Sequence, residues 1–162
     1  MLNKTLFRVA VMATALALFV VMLGAYTRLT DAGLGCPDWP GCYGKLVLPS
    51  AQAELHQAQT AFPDIPIESR KAWTEMAHRY VAGTLGLFIL FIGLATFLSP
   101  KSEQRPRMLP GFLMLLVLFQ AALGMWTVTL KLLPVVVMGH LLGGILIFAS
   151  LARYATQMSP LD

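Results

Sequence analysis

The chain of 162 residues is 57% apolar and only 12% charged, and its mean hydropathy is +0.68. Soluble domains are usually about 45–50% apolar and about 25% charged, so these values exclude a disordered chain and argue against a water-soluble globule. Two cysteines are too few for a disulfide-dense secreted module. The net charge of +4 is scattered along the chain, and we interpret it as a signal of membrane topology rather than of nucleic-acid binding.

Four apolar stretches predict four transmembrane helices, because each approaches the about 20 residues that cross a bilayer. We expect an all-α membrane protein, an antiparallel bundle of four transmembrane helices that forms one domain over residues 1–162. The predicted spans are 9–27, 73–98, 108–130 and 134–154, and a long external loop covers 29–72. The first apolar run is longer than the ~7–15 residues of a signal-peptide core, so we expect a retained helix.

The basic residues predict the orientation of the bundle. Four spans place both termini on the same side of the membrane, and each side carries six Lys or Arg residues. On the side of the termini these residues lie in short segments next to the spans, which favours the cytoplasm. We therefore expect a multi-pass protein of a bacterial-type cytoplasmic (inner) membrane, with both termini in the cytoplasm and membrane lipids around the helices.

Two histidines lie near the outer ends of the second and fourth predicted spans. His78 comes just before the second apolar run, and His140 lies inside the fourth. In an antiparallel bundle both would reach the outer half of the membrane at similar depth. Ionisable residues within membranes are costly and tend to mark function. Each histidine alone has an ordinary explanation, an interfacial position for His78 and a helix–helix hydrogen bond for His140, but the pair predicts ligation of a metal or a haem iron.

Small residues accompany both histidines. Gly143 and Gly144 share the helix face of His140, and alanine and glycine likewise follow His78. A haem bound by an imidazole lies flat against the helix of its ligand, so this placement favours haem, held by two neutral imidazoles. Ordinary packing between membrane helices is the alternative explanation of the glycines. In the third span, Gln120 is expected to hydrogen-bond to a neighbouring helix.

Charged residues near the outer face would complete such a pocket. On a helix, Glu75 shares a face with His78 and Arg79. A carboxylate at the mouth of a bis-histidine pocket can move protons, whereas a surface Glu75–Arg79 ion pair would contribute little. The guanidinium groups of Arg28 and Arg79 suit haem propionates, but interfacial arginines also occur without a cofactor. The sequence leaves both alternatives open.

Cys36 and Cys42 lie in the long loop, separated by two prolines, a glycine and two other residues. External placement and the bent spacer predict that they can form an intramolecular disulfide. The bond is either a structural staple or a thiol pair that must be reduced for activity. The spacing is not a zinc or thioredoxin pattern. A zinc site would need two ligands besides the histidines, and only Glu75 and the two cysteines are candidates.

A short motif occurs twice. Gly24-Ala-Tyr-Thr27 ends the first span, Gly124-Met-Trp-Thr127 ends the third, and a histidine lies near the start of each following span. The repetition predicts a duplicated helical hairpin with the long loop inserted in the first copy.

The motifs described above resemble those of the haem A synthase family. Residues 24–44, which read GAYTRLTDAGLGCPDWPGCYG, closely resemble the family's first-loop signature. Glu75-Met-Ala-His-Arg79 is similar to its Glu-x-x-His-Arg motif, and His140-Leu-Leu-Gly-Gly144 is similar to its fourth-helix histidine motif. The resemblance covers about residues 20–150, and the Cys-Pro-Asp-Trp-Pro run within it is specific.

The resemblance implies a membrane oxidoreductase that converts haem O to haem A, in which the C8 methyl group is oxidised twice to a gem-diol that loses water to a formyl group. Family members have eight helices in two halves, one thought to hold the substrate haem and the other a haem B that relays electrons. By similarity, Glu75, His78 and His140 match the substrate-side half and the cysteines match its disulfide. The candidate site thus comprises a catalytic residue, Glu75, two iron ligands, His78 and His140, and four haem contacts, Arg28, Arg79, Gly143 and Gly144.

Only one half of the family pattern is present in this sequence. We expect either a compact four-helix member that pairs with a second copy of itself or a truncated copy that binds haem without turnover. The partners implied are haem O, a haem O synthase and an electron donor that the sequence does not identify. A function from another class is a non-catalytic haem-binding electron carrier or cytochrome oxidase assembly factor.

Overall fold

The computed structural model describes residues 2–99 and 107–159. Its helices are α1 (Leu2–Leu29), α2 (Gln52–Ala61), α3 (Ser69–Phe97), α4 (Met108–Thr129) and α5 (Pro134–Gln157). All except α2 are long and apolar enough to cross a membrane, so the prediction of an all-α bundle of four such helices is confirmed. Lys101 and Arg105, two of the basic residues behind the predicted orientation, lie outside the described residues.

The four long helices follow one another around a ring. Within the described residues, α1 contacts α3 and α5, and α4 also contacts α3 and α5. Helices α3 and α5 therefore lie on one diagonal of the bundle, and α1 and α4 lie on the other. Because consecutive antiparallel helices are neighbours, the chain forms two hairpins, α1 with α3 and α4 with α5.

Two separate apolar clusters hold the fold together. One fills the bundle towards the N-terminus of α1 and the C-terminus of α5, where Ala10, Ala13 and Ala17 are fully or almost fully buried. Alanines at this spacing let neighbouring helices approach closely. The other cluster lies in the long loop and reaches α3 at Ala72 and Met76. The layer between the two clusters contains His78.

Helix α3 begins well before its apolar part. It starts at Ser69, about three turns ahead of Val81, so the loop packs against a polar helical segment that carries Glu75, His78 and Arg79. At the same end of the bundle, α5 begins at Pro134, whose fixed φ and missing N–H suit the first turn of a helix. Because α3 and α5 begin at these positions, their histidines lie at the same depth in the bundle.

Candidate functional site: a histidine pair across the bundle

His78 and His140 face each other across the diagonal of the bundle. Their ring centroids are 6.4 Å apart, and the ring planes are inclined by 78°. The structure thus brings together two side chains that are 62 positions apart in the sequence.

Each imidazole packs against a glycine of the preceding helix in its own hairpin. A Cβ atom added to Gly24 of α1 would lie 2.9 Å from Cε1 of His78. A Cβ atom added to Gly124 of α4 would lie 3.4 Å from Cε1 of His140. The sequence repeat contains both glycines, but it gave no indication that they contact the histidines.

The duplicated motif also has duplicated backbone geometry. At the end of α1, Ala32 N–H donates to the Thr27 carbonyl at 2.9 Å; at the end of α4, Leu132 N–H donates to the Thr127 carbonyl at 2.8 Å. Both bonds are of the type that closes a helix with a left-handed residue, and the residues before the two donors have φ of 51° and 48°. The first helix of each hairpin therefore ends with the same backbone geometry.

One nitrogen of each histidine has no hydrogen-bond partner within the described part of the chain. Nδ1 of His78 and Nδ1 of His140 are buried and have no hydrogen-bond partner among the described residues. Buried polar groups in native proteins nearly always have a hydrogen-bond partner, so two neighbouring nitrogens without one need an explanation. Two imidazoles that bind one metal ion through bonds of about 2 Å have ring centroids roughly 6 Å apart. The donor set therefore fits a haem iron.

A tetrahedral zinc site fits less well. Within residues 2–99 and 107–159, no three His, Cys, Asp or Glu side chains are grouped so that they could hold a metal ion. The two cysteines are joined in a disulfide, and Glu75 is bound to other groups. Two imidazoles are half of the four ligands that a structural zinc ion takes.

Cys36 and Cys42 form the intramolecular disulfide that was predicted. The chain between them folds tightly: the Asp38 carboxylate accepts hydrogen bonds from Tyr43 N–H and Gly44 N–H, each at 2.7 Å. Gly44 has a φ of +77°, which glycine adopts without strain. We refer to residues 36–42 as the disulfide loop.

Glu75 and Arg79 attach the disulfide loop to α3. Oε2 of Glu75 accepts a hydrogen bond from Cys36 N–H at 2.9 Å, and Oε1 is bound to the Arg79 guanidinium. Arg79 also donates to the carbonyl oxygens of Asp38 at 2.9 Å and Pro40 at 3.3 Å, and to that of Gly41. The Glu75–Arg79 pair exists, but it is not a surface pair, because only 6% and 12% of the two side chains are exposed.

The loop can dock this closely because of Gly35. A Cβ atom on Gly35 would lie 2.6 Å from the backbone of Lys71 and Ala72, so any larger residue would push the loop off α3. The disulfide loop and the polar start of α3 thus form one unit, one helical turn from His78.

The remaining candidate residues have contacts of their own. Arg28 lies at the exposed end of α1, 3.6 Å from the Asp31 carboxylate. Gly143 lies against Gln120, whose Nε2 atom would be 1.8 Å from a Cβ at Gly143, and Gly144 lies against Val21. The expected hydrogen bond of Gln120 is absent at Nε2, which is buried without a partner among the described residues. The Gln120 amide contacts the backbone of Gly143, and no hydrogen-bond acceptor among the described residues is within its reach.

Comparisons with known proteins identify similar sequences. The sequence model of a family described as cytochrome oxidase assembly protein matches residues 7–161. A haem A synthase of Shewanella oneidensis is 61% identical over 127 residues, which cover 78% of this chain and 38% of that protein. A haem A synthase of Rhizobium rhizogenes is 30% identical over 179 aligned positions, which cover 98% of this chain and 48% of that protein. The chain spans less than half the length of these two relatives. No solved structure matches it.

Proposed function

The chain belongs to the haem A synthase family of cytochrome oxidase assembly proteins, and from this premise we propose that it is a haem-binding membrane oxidoreductase of haem A biosynthesis. Its substrate is haem O, and its reaction oxidises the C8 methyl group to a formyl group, with the oxygen atom taken from water and the released electrons passed to a redox partner outside this chain. The protein lies in a bacterial-type inner membrane with both termini in the cytoplasm and residues 29–72 outside.

One observation carries the proposal, namely the arrangement of His78 and His140. Their ring centroids are 6.4 Å apart, and the buried Nδ1 atom of each ring has no hydrogen-bond partner among the described residues, so these two imidazoles would hold the iron of a haem. A bound haem O supplies both the iron that the imidazoles hold and the methyl group that is oxidised. The two histidines keep the substrate in the layer between the two apolar clusters, where bulk water is largely excluded.

Glu75 handles the protons that leave the methyl group. Its Oε1 atom faces Arg79 and its Oε2 atom faces Cys36 N–H, so a proton added to either oxygen weakens the bond to that oxygen's partner. Release at Oε1 is feasible because Arg79 keeps carbonyl partners in the disulfide loop. Arg79 and Arg28 bind the haem propionates at the outer face, and the ring edge reaches Gly143 and Gly144 only when Gln120 and Val21, which contact them in this structure, move away.

A second candidate function is that of a haem-binding electron carrier or assembly factor without turnover. It is favoured by the contacts of Glu75, because both carboxylate oxygens already hold the disulfide loop. In that case Glu75 would be a structural residue and the haem would remain unmodified. The share of the relatives that this chain covers, 38% and 48% in the two cases above, is compatible with either function, including action together with a second copy of the chain or with a haem O synthase.

The deciding experiment supplies haem O to cells that express the chain, with wild-type and Glu75→Gln forms in parallel, and identifies the extracted haems by mass and absorption. Formyl haem from the wild type and much less from Glu75→Gln would support the oxidoreductase. Glutamine keeps a side-chain acceptor for Cys36 N–H, so loop docking is preserved while the proton acceptor is lost. Bound but unmodified haem O in both forms would favour the carrier.

A further inference from the structure

We propose that Gly24 and Gly124 are positioning residues that fix the orientation of the two histidine rings. Each glycine acts on the imidazole that belongs to the next long helix of its hairpin. The inference rests on the proposed haem site, because ring orientation matters only if the imidazoles ligate iron. Neither glycine touches the haem in this account, and each acts through its histidine.

The contact of Gly24 with His78 is the tighter of the two. A Cβ atom at position 24 would lie 2.9 Å from Cε1, 3.5 Å from Nδ1 and 3.6 Å from Nε2 of the His78 ring. Carbon atoms do not approach to 2.9 Å without strain, so an alanine here would force the imidazole to turn or the helices to separate. Glycine allows the ring to rest directly on the backbone of α1.

The contact of Gly124 with His140 is similar but looser. A Cβ atom at position 124 would lie 3.4 Å from Cε1 and 3.8 Å from Nε2 of the ring. A shift of a few tenths of an ångström would accommodate an alanine, so the expected effect is smaller than at Gly24. The structure therefore predicts a graded response, with the larger change at the first hairpin.

The recurrence of the arrangement argues against chance packing. Both glycines lie at the same place in the duplicated hairpin, four residues after a carbonyl group that interacts with the same imidazole, that of Val20 for His78 and that of Gln120 for His140. The surrounding side chains differ between the copies, yet glycine and carbonyl keep their places. Each imidazole ring is thus held by a glycine and a carbonyl group that lie one helical turn apart on the same helix.

The consequence is an almost perpendicular pair of ring planes. The angle between them is 78°, and each ring is backed by a helix on a different corner of the bundle. In a low-spin ferric haem, the angle between axial imidazole planes determines the spread of the electron paramagnetic resonance g values. A change of ring orientation at either histidine is therefore measurable independently of turnover.

Two measurements on three variants test the proposal. The variants are Gly24→Ala, Gly124→Ala and, as a control, Gly83→Ala, which lies on α3 with no atom within 4 Å of an added Cβ. All three make the same chemical change within a long helix. The first measurement is the NMR spectrum of protein carrying ¹³C-labelled histidine in detergent micelles without haem. The second is the resonance spectrum of the ferric haem-loaded protein.

We expect Gly24→Ala to shift the Cε1 resonance of His78 and to leave that of His140 nearly unchanged, with the reverse and smaller result for Gly124→Ala. Haem-loaded Gly24→Ala should show a changed largest g value, and Gly83→Ala should match the wild type in the measurement without haem. Unchanged histidine resonances in Gly24→Ala would overturn the positioning role. If the resonances shift as expected but the wild type binds no haem, the proposed function is wrong. The glycine–histidine contacts would then be confirmed, but they would have no role in ligation.

A double variant covers the case in which Gly24→Ala does not accumulate in membranes. If the clash with His78 is the cause, adding His78→Ala should restore the protein to the level of His78→Ala alone, since coupled residues give non-additive effects. If the double variant fails as badly as Gly24→Ala, position 24 serves helix packing in general, and the proposal is wrong.

Discussion

The backbone N–H of Cys36 donates a hydrogen bond of 2.9 Å to the Glu75 carboxylate, which joins the disulfide loop to the helix that carries His78. The other carboxylate oxygen is bound to Arg79, one turn further along α3. Glu75 is 5% exposed. The proposed proton-handling group therefore also determines where the loop sits above the histidine pair, so its two possible roles need separate tests.

Removing the carboxylate should release the loop. Glu75→Ala leaves Cys36 N–H and one side of the Arg79 guanidinium without a partner, and breaking a buried pair in this way costs about 3 kcal/mol. We expect cleavage within residues 29–72 by an added protease to become at least several-fold faster, as measured on membranes by electrophoresis. Glu68→Ala is the matched control, because its ion pair with Lys71 is largely exposed and should matter little. Equal cleavage rates for the two variants would contradict the docking role.

The disulfide should be formed in the native protein. Alkylation of freshly isolated, unreduced membranes should label neither Cys36 nor Cys42, and labelling of both would favour the reduced, redox-active alternative. Replacing both cysteines by serine removes a short cross-link whose closure constrains the unfolded chain by roughly 2 kcal/mol. We expect that variant to keep haem binding while its loop becomes more sensitive to protease.

The long loop should be sensitive to alkaline pH through Tyr43. Burial, together with the nearby charges of Glu68, Asp38 and Glu75, raises the pKa of Tyr43 above its ordinary value of 10.0. The folded loop therefore holds its phenolic proton more tightly than the unfolded loop does. This contribution to stability is fully present below pH 10 and is lost as the pH rises through the folded pKa. Protease sensitivity of the loop should increase above pH 10 in the wild type and less steeply in Tyr43→Phe.

Much of the fold follows from local sequence properties. The four apolar runs are long enough to predict the four long helices. Because successive spans cross the membrane in opposite directions, helices that follow one another are expected to be antiparallel. The approach of His78 and His140 also follows, because both lie near the outer ends of alternate spans. Because α3 and α5 lie on one diagonal of the four-helix bundle, two histidines at the same depth face each other directly.

The parts of the site that the sequence did not predict depend on backbone atoms. Arg79 donates to carbonyl oxygens of the disulfide loop, and every residue type carries a carbonyl, so no residue pattern marks these acceptors. Likewise, the close approach of Gly24 to His78 is set by helix crossing, and only the repeated motif hinted at it. Gly143 was interpreted as clearance for haem, whereas its nearest neighbour is the amide of Gln120.

The orientation in the membrane has a direct test. We expect the C-terminus in the cytoplasm, because the short segments rich in Lys and Arg lie on that side. An alkaline phosphatase fused to the C-terminus should be inactive, and a green fluorescent protein fused there should fluoresce. The opposite pair of results would invert the bundle and put the disulfide loop in the cytoplasm, where thiols stay reduced.

The absorption spectrum of the purified protein with bound haem shows directly whether His78 and His140 ligate one iron. Three variants are compared with the wild type: His78→Ala, His140→Ala and His56→Ala, the last changing the exposed histidine of α2. We predict that the wild type and His56→Ala show a six-coordinate low-spin spectrum and that both other variants lose it, because one imidazole cannot fill both axial positions. If His140→Ala kept the wild-type spectrum, His78 and His140 would not be ligands of one iron, and the account would be wrong.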